Sequence, residues 1–257
     1  GLVGSEMCIR DSVNSNPANP VIGFRSFGED PDRVAKTAVA YSLGLEDGGV
    51  QSVAKHFPGH GDTDVDSHKA LPSVGHSRAR LDSTDLVPFK EYIGAGCSGI
   101  MVGHIAVPAL DASGKPASLS AVVTDKLLRR ELGFNGLIYT DALGMKGAST
   151  SATNASLSAL MAGADVLLCP SNPANDIDVI AQAVASGKIS RDVIEDRCKL
   201  LLRYKYLLDA GHKTPGSADS IRSAINSPGA EALVKRLAAA SMTVLKNENS
   251  LLPLATT

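Results

Sequence analysis

The chemistry-bearing part of the sequence is residues 55–68, which read KHFPGHGDTDVDSH. These fourteen residues hold one amine, three imidazoles and three carboxylates, and the proline and glycines among them break any helix. A surface loop that only faces water needs neither the histidines nor the glycines, so we predict a functional site here. Residues 49–54 alternate small and apolar residues like a short buried strand. Lys55 and His56 would then leave its carboxyl end, where α/β sheets bind ligands.

A second candidate is Asp141, a carboxylate that directly follows the apolar run Leu137–Thr140. In a parallel barrel this position directs the side chain into the mouth. The alternative is an N-cap for the following helix, and this segment alone does not separate the two. The histidine loop follows a strand of the same kind and should share the same mouth, which favours a functional Asp141.

A carboxylate that faces a proton donor across one pocket is the arrangement used for glycoside hydrolysis. Both groups are normally carboxylic acids, but a histidine held by a carboxylate can also take and give a proton, because its pKa lies near neutrality. Asp66 and His68 are separated by one residue, so in an extended loop their side chains can point the same way and hydrogen-bond. We therefore predict an Asp66–His68 acid/base dyad opposite Asp141.

The composition narrows the classes of function. The chain has 257 residues, 44% of them apolar, which suffices for one large domain or two small ones. A net charge of −2, five Phe, five Tyr and no Trp argue against nucleic-acid binding. No apolar run approaches the ~18 residues that cross a bilayer, so no membrane segment is expected. Four cysteines without CxxC spacing indicate free thiols. The sequence decides neither the compartment, cytoplasmic or exported, nor the oligomeric state.

Short apolar runs alternate with helical patterns from residue 13, which predicts βα units on a parallel sheet. The predicted strands are Val50–Ala54, Ser98–Val102, Leu137–Thr140 and Ala164–Cys169. Helical spacing predicts helices over residues 30–45, 82–95, 124–132, 153–162, 176–186, 190–210 and 229–241, with Thr124 and Ser190 as N-caps. Such units fit a TIM-type (β/α) barrel, but four strands stand where eight are needed, so we expect an incomplete barrel.

The sequence predicts two domains after a short unassigned stretch. Residues 1–12 fit no element that continues into Val13, and an artefact of the sequence would explain them. Residues 13–212 form the predicted barrel domain. Residues 213–257 begin as a linker, and a helix followed by an opening strand at residues 242–246 is expected to start a C-terminal α/β domain.

The loop KHFPGHGDTDVDSH, the ALP at residues 70–72 and the segment GFNGLIYTDALGM at residues 133–145 resemble the β-N-acetylglucosaminidases of glycoside hydrolase family 3. The resemblance extends over residues 19–31 and Met101–His104, so it covers nearly everything from Val13 to about Leu208. It implies a TIM-type barrel, here a partial family 3 N-terminal domain. It also implies retaining hydrolysis of terminal non-reducing β-N-acetylglucosamine through a covalent glycosyl-enzyme.

Carried over residue by residue, the resemblance makes Asp141 the nucleophile, His68 the general acid/base and Asp66 its orienting partner. The positions that hydrogen-bond the hydroxyls of the terminal N-acetylglucosamine are matched by Arg25, Lys55 and His56. The DSH triplet separates this subgroup from the β-glucosidases of the family.

The resemblance also implies a biological setting. The substrate would be N-acetylglucosamine attached to fragments of peptidoglycan, in bacterial cell-wall recycling or turnover, and no cofactor or metal ion is expected. Family members carry an earlier strand with an acidic, Gly-rich sugar-binding loop, and no such segment precedes Val13. We therefore expect a barrel that is incomplete at its N-terminus and a chain that is weak or inactive by itself.

Three alternatives stay open. The first is a metal-dependent hydrolase, although no HExxH or HxH pair is present and Lys55 would place a positive charge beside the ion. Its ligands would be His56, His60, Asp66 and His68. The second is an N-acetylglucosaminide phosphorylase of the same fold, which uses phosphate in place of water. The third is a sugar-binding fragment without catalysis, and chitin-derived oligosaccharides remain a possible substrate in each sugar-binding case.

The remaining histidines are given supporting roles. We expect His60 and Asp62 to hold the Gly-rich backbone of the loop rather than to bind substrate. His104 follows an apolar strand and is expected to pack behind the mouth. His76 and His212 lie in polar, turn-like stretches and are expected to face solvent.

Overall fold

The structure is a computed structural model that describes residues 7–8, 12–20, 22–63, 65–67, 69–148, 154–208, 217–225, 227–250 and 252. The chain divides into two compact units, residues 1–211 and 212–257. The sequence places its boundary after residue 212. All candidate site residues belong to the first unit.

The first unit is built on a parallel sheet of four strands that lie in sequential order. They are β1 (Met7–Cys8), β2 (Ser52–Phe57), β3 (Gly99–Val102) and β4 (Leu137–Thr140). Gly99 is paired with Val53 of β2 and with Leu137 of β4. Because parallel neighbours need a crossover, each successive strand returns to the same end of the sheet, and the carboxyl ends of β2, β3 and β4 share one edge.

Helical segments lie between the strands and after them. Within the described residues of the first unit, the α-helices are α1 (Pro31–Asp47), α2 (Arg78–Arg80) and α3 (Val87–Gly94) before β4, and α4 (Ala155–Ala162), α5 (Pro173–Ala185) and α6 (Arg191–Leu207) after it. The π-helical segments Leu81–Asp85 and Val122–Glu131 and the 3-10 turns Gly23–Arg25, Ala117–Leu119 and Lys146–Ala148 are also present. The predicted helices over residues 30–45, 153–162, 176–186 and 190–210 are therefore confirmed within a few residues.

Capping explains where several helices begin. Asp30 accepts a hydrogen bond from the backbone N–H of Arg33 at 2.7 Å, and Ser190 accepts one from Asp192 at 3.2 Å, as its predicted N-cap role requires. The prediction for Thr124 is wrong. The helical segment begins at Val122, and the Thr124 hydroxyl instead donates to the carbonyl of Ala117 at 2.9 Å.

Both faces of the sheet are buried. Ala54, Ile100 and Ile138 pack with the helices on one side. The other face is formed by Val53, Met101, Leu137 and Tyr139, with Leu200, Leu201 and Tyr204 of α6 packed against it. Burial on both faces is the reason these strands read as continuous apolar runs in the sequence.

The predicted fourth strand, Ala164–Cys169, is wrong. Only Val166 pairs with β4, through an isolated bridge to Tyr139. On either side of that bridge, a side-chain oxygen accepts the hydrogen bond that a backbone carbonyl would accept in a regular ladder. The Asp165 carboxylate accepts the N–H of Ile138 at 2.7 Å, and the Thr140 hydroxyl accepts the N–H of Leu168 at 3.0 Å. An apolar pattern cannot reveal this substitution of side-chain acceptors for backbone ones.

The N-terminal stretch also differs from expectation. The sequence predicts no element within residues 1–12, yet Met7–Cys8 pairs in parallel with β2, Met7 opposite Ser52 and Cys8 opposite Val53. A two-residue strand is too short to leave a recognisable period in the sequence.

Within its described residues, the second unit has the helices α7 (Ala218–Ile225) and α8 (Pro228–Ser241) and a 3-10 turn at Glu248–Ser250. Helix α8 confirms the predicted helix over residues 229–241. The predicted opening strand at residues 242–246 is wrong, since this segment forms no strand within the part of the unit that the structure describes.

None of the helices within the described ranges has both the length and the apolar composition that a bilayer span needs.

Candidate functional site

The site is built where β2 and β4 end. His56 lies near the end of β2, and Asp141 is the first residue after β4. Nε2 of His56 lies 3.5 Å from Oδ2 of Asp141, and the two side chains are only 7% and 15% exposed. The peptide bonds Lys55–His56 and Phe57–Pro58 are both cis. The structure thus brings together one residue from each of the two motifs singled out in the sequence.

The contact between His56 and Asp141 lies near the end of β3, beside Gly103, which has no side chain. A Cβ atom at Gly103 would lie 3.0 Å from Cβ of His56. The backbone N–H of Asp141 donates to the carbonyl of Val102 at 3.0 Å, which continues the register of the two strands by one residue. A side chain at residue 103 would therefore disturb His56 directly.

Asp141 is not a helix N-cap. Its Oδ1 accepts from the N–H of the next residue, Ala142, at 2.8 Å. The first α-helix after β4 is α4, which has Asn154 as its N-cap. The N-cap interpretation is therefore wrong, and Oδ2 is directed towards His56.

His104 fixes the backbone beside Asp141. The side chain is fully buried, with Nδ1 at 2.6 Å from Oγ of Ser118 and Nε2 at 3.1 Å from the carbonyl oxygen of Ala142. A carbonyl can only accept, so Nε2 carries the proton and Nδ1 accepts from the Ser118 hydroxyl. Burial lowers the pKa of His104, and the charge of His56 lowers it further, while Asp141 and the Ala142 carbonyl oppose this shift. His104 is therefore a neutral imidazole that holds the residue following Asp141.

His60 organises the middle of the histidine loop. Its Nδ1 lies 2.6 Å from Oγ1 of Thr63 and its Nε2 lies 3.2 Å from Oγ of Ser67. The Thr63 hydroxyl donates to the carbonyl of His60, so it accepts from Nδ1 of the ring. The His60 ring also meets the His56 ring edge to face, with 5.7 Å between centroids. The expected loop-holding role of His60 is confirmed by these contacts.

These contacts connect the loop to Asp141. Asp141 contacts His56, the His56 ring contacts His60, and His60 bonds to Ser67, which lies between Asp66 and His68. On the other side, the N–H of Gly147 donates to the carbonyl of Ser67 at 3.2 Å. The predicted dyad is thus tied through its central residue to the segment that follows Asp141.

Of the two residues of the predicted dyad, Asp66 lies within the described residues and His68 lies outside them. Asp66 is partly exposed, and its carbonyl accepts from the N–H groups of Lys69 at 2.9 Å and Ala70 at 3.1 Å, which forms a tight turn. The hydrogen bond between Asp66 and His68 stays a prediction.

A segment near the N-terminus packs against the loop and carries Arg25. The N–H of Ser12 donates to the carbonyl of Lys55 at 3.1 Å, and the side-chain amide of Asn19 donates to the carbonyl of His60 at 2.7 Å. A Cβ atom at Gly61 would lie 1.7 Å from the carbonyl oxygen of Val13, so only glycine permits this approach. Arg25 ends the 3-10 turn of this segment, and Arg25 and Lys55 are both partly exposed.

Sequence reasoning missed a cluster at the base of the loop. Nε2 of His76 lies 2.7 Å from Oδ2 of Asp62, and both side chains are partly buried, so the expectation that His76 faces solvent is wrong. Asp85 is 2% exposed nearby, and Oδ2 of Asp85 has no hydrogen-bond partner. Burial raises the pKa of Asp85, as does Asp62, whereas His76 and Arg80 lower it. No local pattern pairs residues 62 and 76. His212 lies outside the described residues.

The sequence predicts free thiols for the cysteines and contains no HExxH-type zinc motif. Cys97, Cys169 and Cys198 are free thiols, as predicted. Within the described ranges, no group of three His, Cys, Asp or Glu side chains is arranged to hold a metal ion.

Comparison with known proteins identifies relatives of the chain. Residues 11–204 match the family described as "Glycosyl hydrolase family 3 N terminal domain". The chain is 38% identical to "Beta-hexosaminidase A" of Pseudoalteromonas piscicida, over 93% of this chain and 43% of that protein. It is 45% identical to a "Beta-hexosaminidase" of Neisseria meningitidis serogroup C (strain 053442), over 50% of this chain and 35% of that protein.

Two solved structures have the same fold over most of the chain. The glycoside hydrolase family 3 β-N-acetylglucosaminidase from Paenibacillus sp. str. FPU-7 has a TM-score of 0.87 and 37% identity, over 94% of this chain and 46% of that one. "Beta-glucoside phosphorylase BglX" has a TM-score of 0.86 and 27% identity, over 97% of this chain and 47% of that one. The chain thus spans less than half the length of each of these four relatives.

The lowered pKa of His104 predicts a loss of stability in acid. The unfolded chain takes up a proton at this residue below pH ~6.5, whereas the buried imidazole resists protonation, so the stabilisation is present above pH ~6.5 and is lost as the pH falls below it. The contribution has a maximal slope of about 1.4 kcal/mol per pH unit. We expect the urea midpoint of His104→Gln to fall less than that of the unsubstituted chain between pH 7.5 and pH 5.5. Equal decreases in the two proteins would contradict the neutral assignment.

Proposed function

Because this chain belongs to glycosyl hydrolase family 3 through its N terminal domain, we propose that it carries the catalytic site of an exo-acting β-N-acetylglucosaminidase. The reaction is the retaining hydrolysis of terminal non-reducing β-N-acetylglucosamine. The observation that carries the proposal is the contact between His56 and Asp141, since it joins the two conspicuous motifs of the sequence at one edge of the sheet. The similarity to a family 3 β-N-acetylglucosaminidase supports the substrate class.

Asp141 is the proposed nucleophile. In the first step one of its carboxylate oxygens bonds to the anomeric carbon as the bond from that carbon to the leaving oxygen breaks. Ala142 donates to one oxygen and the His56 imidazole lies beside the other, so the carboxylate is held in a fixed orientation. His104 adds to this by holding the carbonyl of Ala142.

His68 is the proposed general acid/base, with Asp66 as the partner that orients it. In the first step the imidazolium gives its proton to the leaving oxygen. In the second step His68 takes a proton from water, the water oxygen bonds to the anomeric carbon, and the ester to Asp141 breaks. The bonds of Ser67 to His60 and Gly147 support this assignment, because they tie the residue between Asp66 and His68 to the surroundings of Asp141.

Arg25, Lys55 and His56 are the proposed binding residues for the sugar hydroxyls. Guanidinium, ammonium and imidazole groups all donate hydrogen bonds, which suits hydroxyl oxygens as acceptors. The bonds of Ser12 and Asn19 to the loop support a shared site, because they dock the segment that carries Arg25 against Lys55 and His60.

The proposed architecture is a TIM-type barrel of which β1 to β4 are an arc. Sequential order and parallel pairing support this architecture, and residues 13–212 are proposed to form the barrel domain. Residues 213–257 are proposed to be a linker and the beginning of a C-terminal α/β domain. Their separate compactness is consistent with this.

Labelling tests the nucleophile. We expect a fluorinated N-acetylglucosamine analogue, which forms its glycosyl-enzyme faster than it loses it, to label the chain covalently at Asp141. Digestion followed by peptide mass mapping locates the label. Asp141→Asn is the matched control, since it keeps the size of the side chain and removes the nucleophilic charge, and it should take no label. A label on any other residue would falsify the assignment.

The natural substrate is proposed to be N-acetylglucosamine attached to peptidoglycan fragments in bacterial wall turnover. We expect an enzyme that contains this domain to release free N-acetylglucosamine faster from such fragments than from chitobiose, at a rate that inorganic phosphate does not change. Release of a sugar phosphate would instead favour the phosphorylase alternative, which the similarity to a β-glucoside phosphorylase keeps in view. Faster turnover of chitobiose would favour a chitin-type substrate.

A further inference from the structure

An irregular stretch of backbone runs beside the end of β4 and the proposed nucleophile. The N–H of Thr140 donates to the carbonyl of Val166 at 3.0 Å, and the N–H of Leu143 donates to the carbonyl of Leu168 at 2.9 Å. Asp141 lies between these two contacts in the sequence. The attachment of the chain to this stretch therefore bears on where Asp141 is placed.

The side chain of Thr140 makes the bond between those two contacts. Tyr139 is bridged in parallel to Val166, so in a regular ladder the N–H of Leu168 would donate to the carbonyl of Thr140. It donates instead to Oγ1 of Thr140, at 3.0 Å, and Thr140 is fully buried. A side-chain oxygen thus holds the neighbouring stretch at the residue directly before Asp141.

The stretch that donates this bond has a fixed starting point. The Asp165 carboxylate accepts the N–H of Ile138 at 2.7 Å, and its two oxygens lie 2.6 Å from guanidinium nitrogens of Arg129 and Arg197. The Asp165 side chain is only 2% exposed. Charge-assisted hydrogen bonds of this kind are stronger than neutral ones, so Thr140 binds a stretch that is already anchored to the sheet.

We propose that Thr140 is a positioning residue for the nucleophile, whose hydroxyl holds the backbone that directs the Asp141 carboxylate. This inference rests on the proposed function, because it concerns the attack of Asp141 on the anomeric carbon. On its other side Asp141 is held by the carbonyl of Val102 at 3.0 Å. Loss of the hydroxyl would therefore release one side of the nucleophile and leave the other attached.

Thr140→Val is the sharpest test variant, because valine has nearly the same shape as threonine and lacks the hydroxyl. The readout is the time course of labelling of Asp141 by the fluorinated N-acetylglucosamine analogue, at several analogue concentrations. We expect the limiting first-order rate constant to fall about 10- to 100-fold, since a displacement of about 1 Å at a reacting group can cost about 100-fold. The analogue concentration that gives half the limiting rate should change less than about threefold, because no binding group is lost.

Two further variants at the same position complete the test. Thr140→Ser keeps the hydroxyl and should restore the rate constant to within about threefold of the unsubstituted value. Thr140→Ala removes the hydroxyl with a smaller side chain and should show the same loss as Thr140→Val, so the test does not depend on one variant that folds.

The rate constant separates positioning from a loss of folded protein. A smaller folded fraction lowers the final amount of label, whereas the rate constant reports only molecules that can react. Tyr92→Phe is the matched control, because it removes another buried hydroxyl that accepts a backbone N–H, from Gly99 at 3.4 Å, at the amino end of β3. It should lower stability and leave the rate constant unchanged. An unchanged rate constant in Thr140→Val, or an equal loss in Thr140→Ser or Tyr92→Phe, would overturn the proposal.

Hydrogen exchange distinguishes a failure of this proposal from a failure of the proposed function. The N–H groups of Leu143 and Leu168 should exchange faster in Thr140→Val than in the unsubstituted protein or in Tyr92→Phe. If the unsubstituted protein takes no label and hydrolyses no N-acetylglucosaminide, the proposed function fails. Unchanged exchange at Leu143 and Leu168 would then separately refute the anchoring by Thr140.

Discussion

The contact between His56 and Asp141 is the constraint on which the rest of the site depends. His56 lies in β2 and Asp141 follows β4, and these two strands are separated in the sheet by β3, which is followed by Gly103. A Cβ atom at Gly103 would lie 3.0 Å from Cβ of His56 and from Cδ1 of Ile105, so these neighbours would have to shift slightly. The site therefore depends on the sheet order at long range and on close packing around Gly103 at short range.

Buried histidines hold the groups around this contact. Both ring nitrogens of His104 and of His60 are hydrogen-bonded, with Ser118, Thr63 and Ser67 as the hydroxyl partners. A buried imidazole that is fully hydrogen-bonded stabilises a single backbone arrangement, and protonation would remove its acceptor. A third histidine, His76, lies further from this contact, with its Nε2 2.7 Å from Oδ2 of Asp62.

The sequence predicts the central part of this arrangement correctly for identifiable reasons. Strands β3 and β4 are buried on both faces, so their apolar runs mark their positions closely, and Asp141 follows from the end of β4. The failures share a different cause. Along the strand predicted at Ala164–Cys169, side-chain oxygens accept hydrogen bonds that backbone carbonyls would accept in a regular ladder. The contact of Asp62 with His76 depends on the path of the chain over the fourteen residues that separate them. Local periodicity contains neither kind of information.

A crystal structure of the full chain with N-acetylglucosamine bound would test the central claim most directly. The account predicts that the anomeric carbon lies about 3–3.5 Å from a carboxylate oxygen of Asp141, the separation at which bond formation can begin. It also predicts that the sugar hydroxyls contact Lys55 and His56. A sugar bound away from the shared edge of β2 and β4, or an Asp141 carboxylate turned away from the anomeric carbon, would contradict the account.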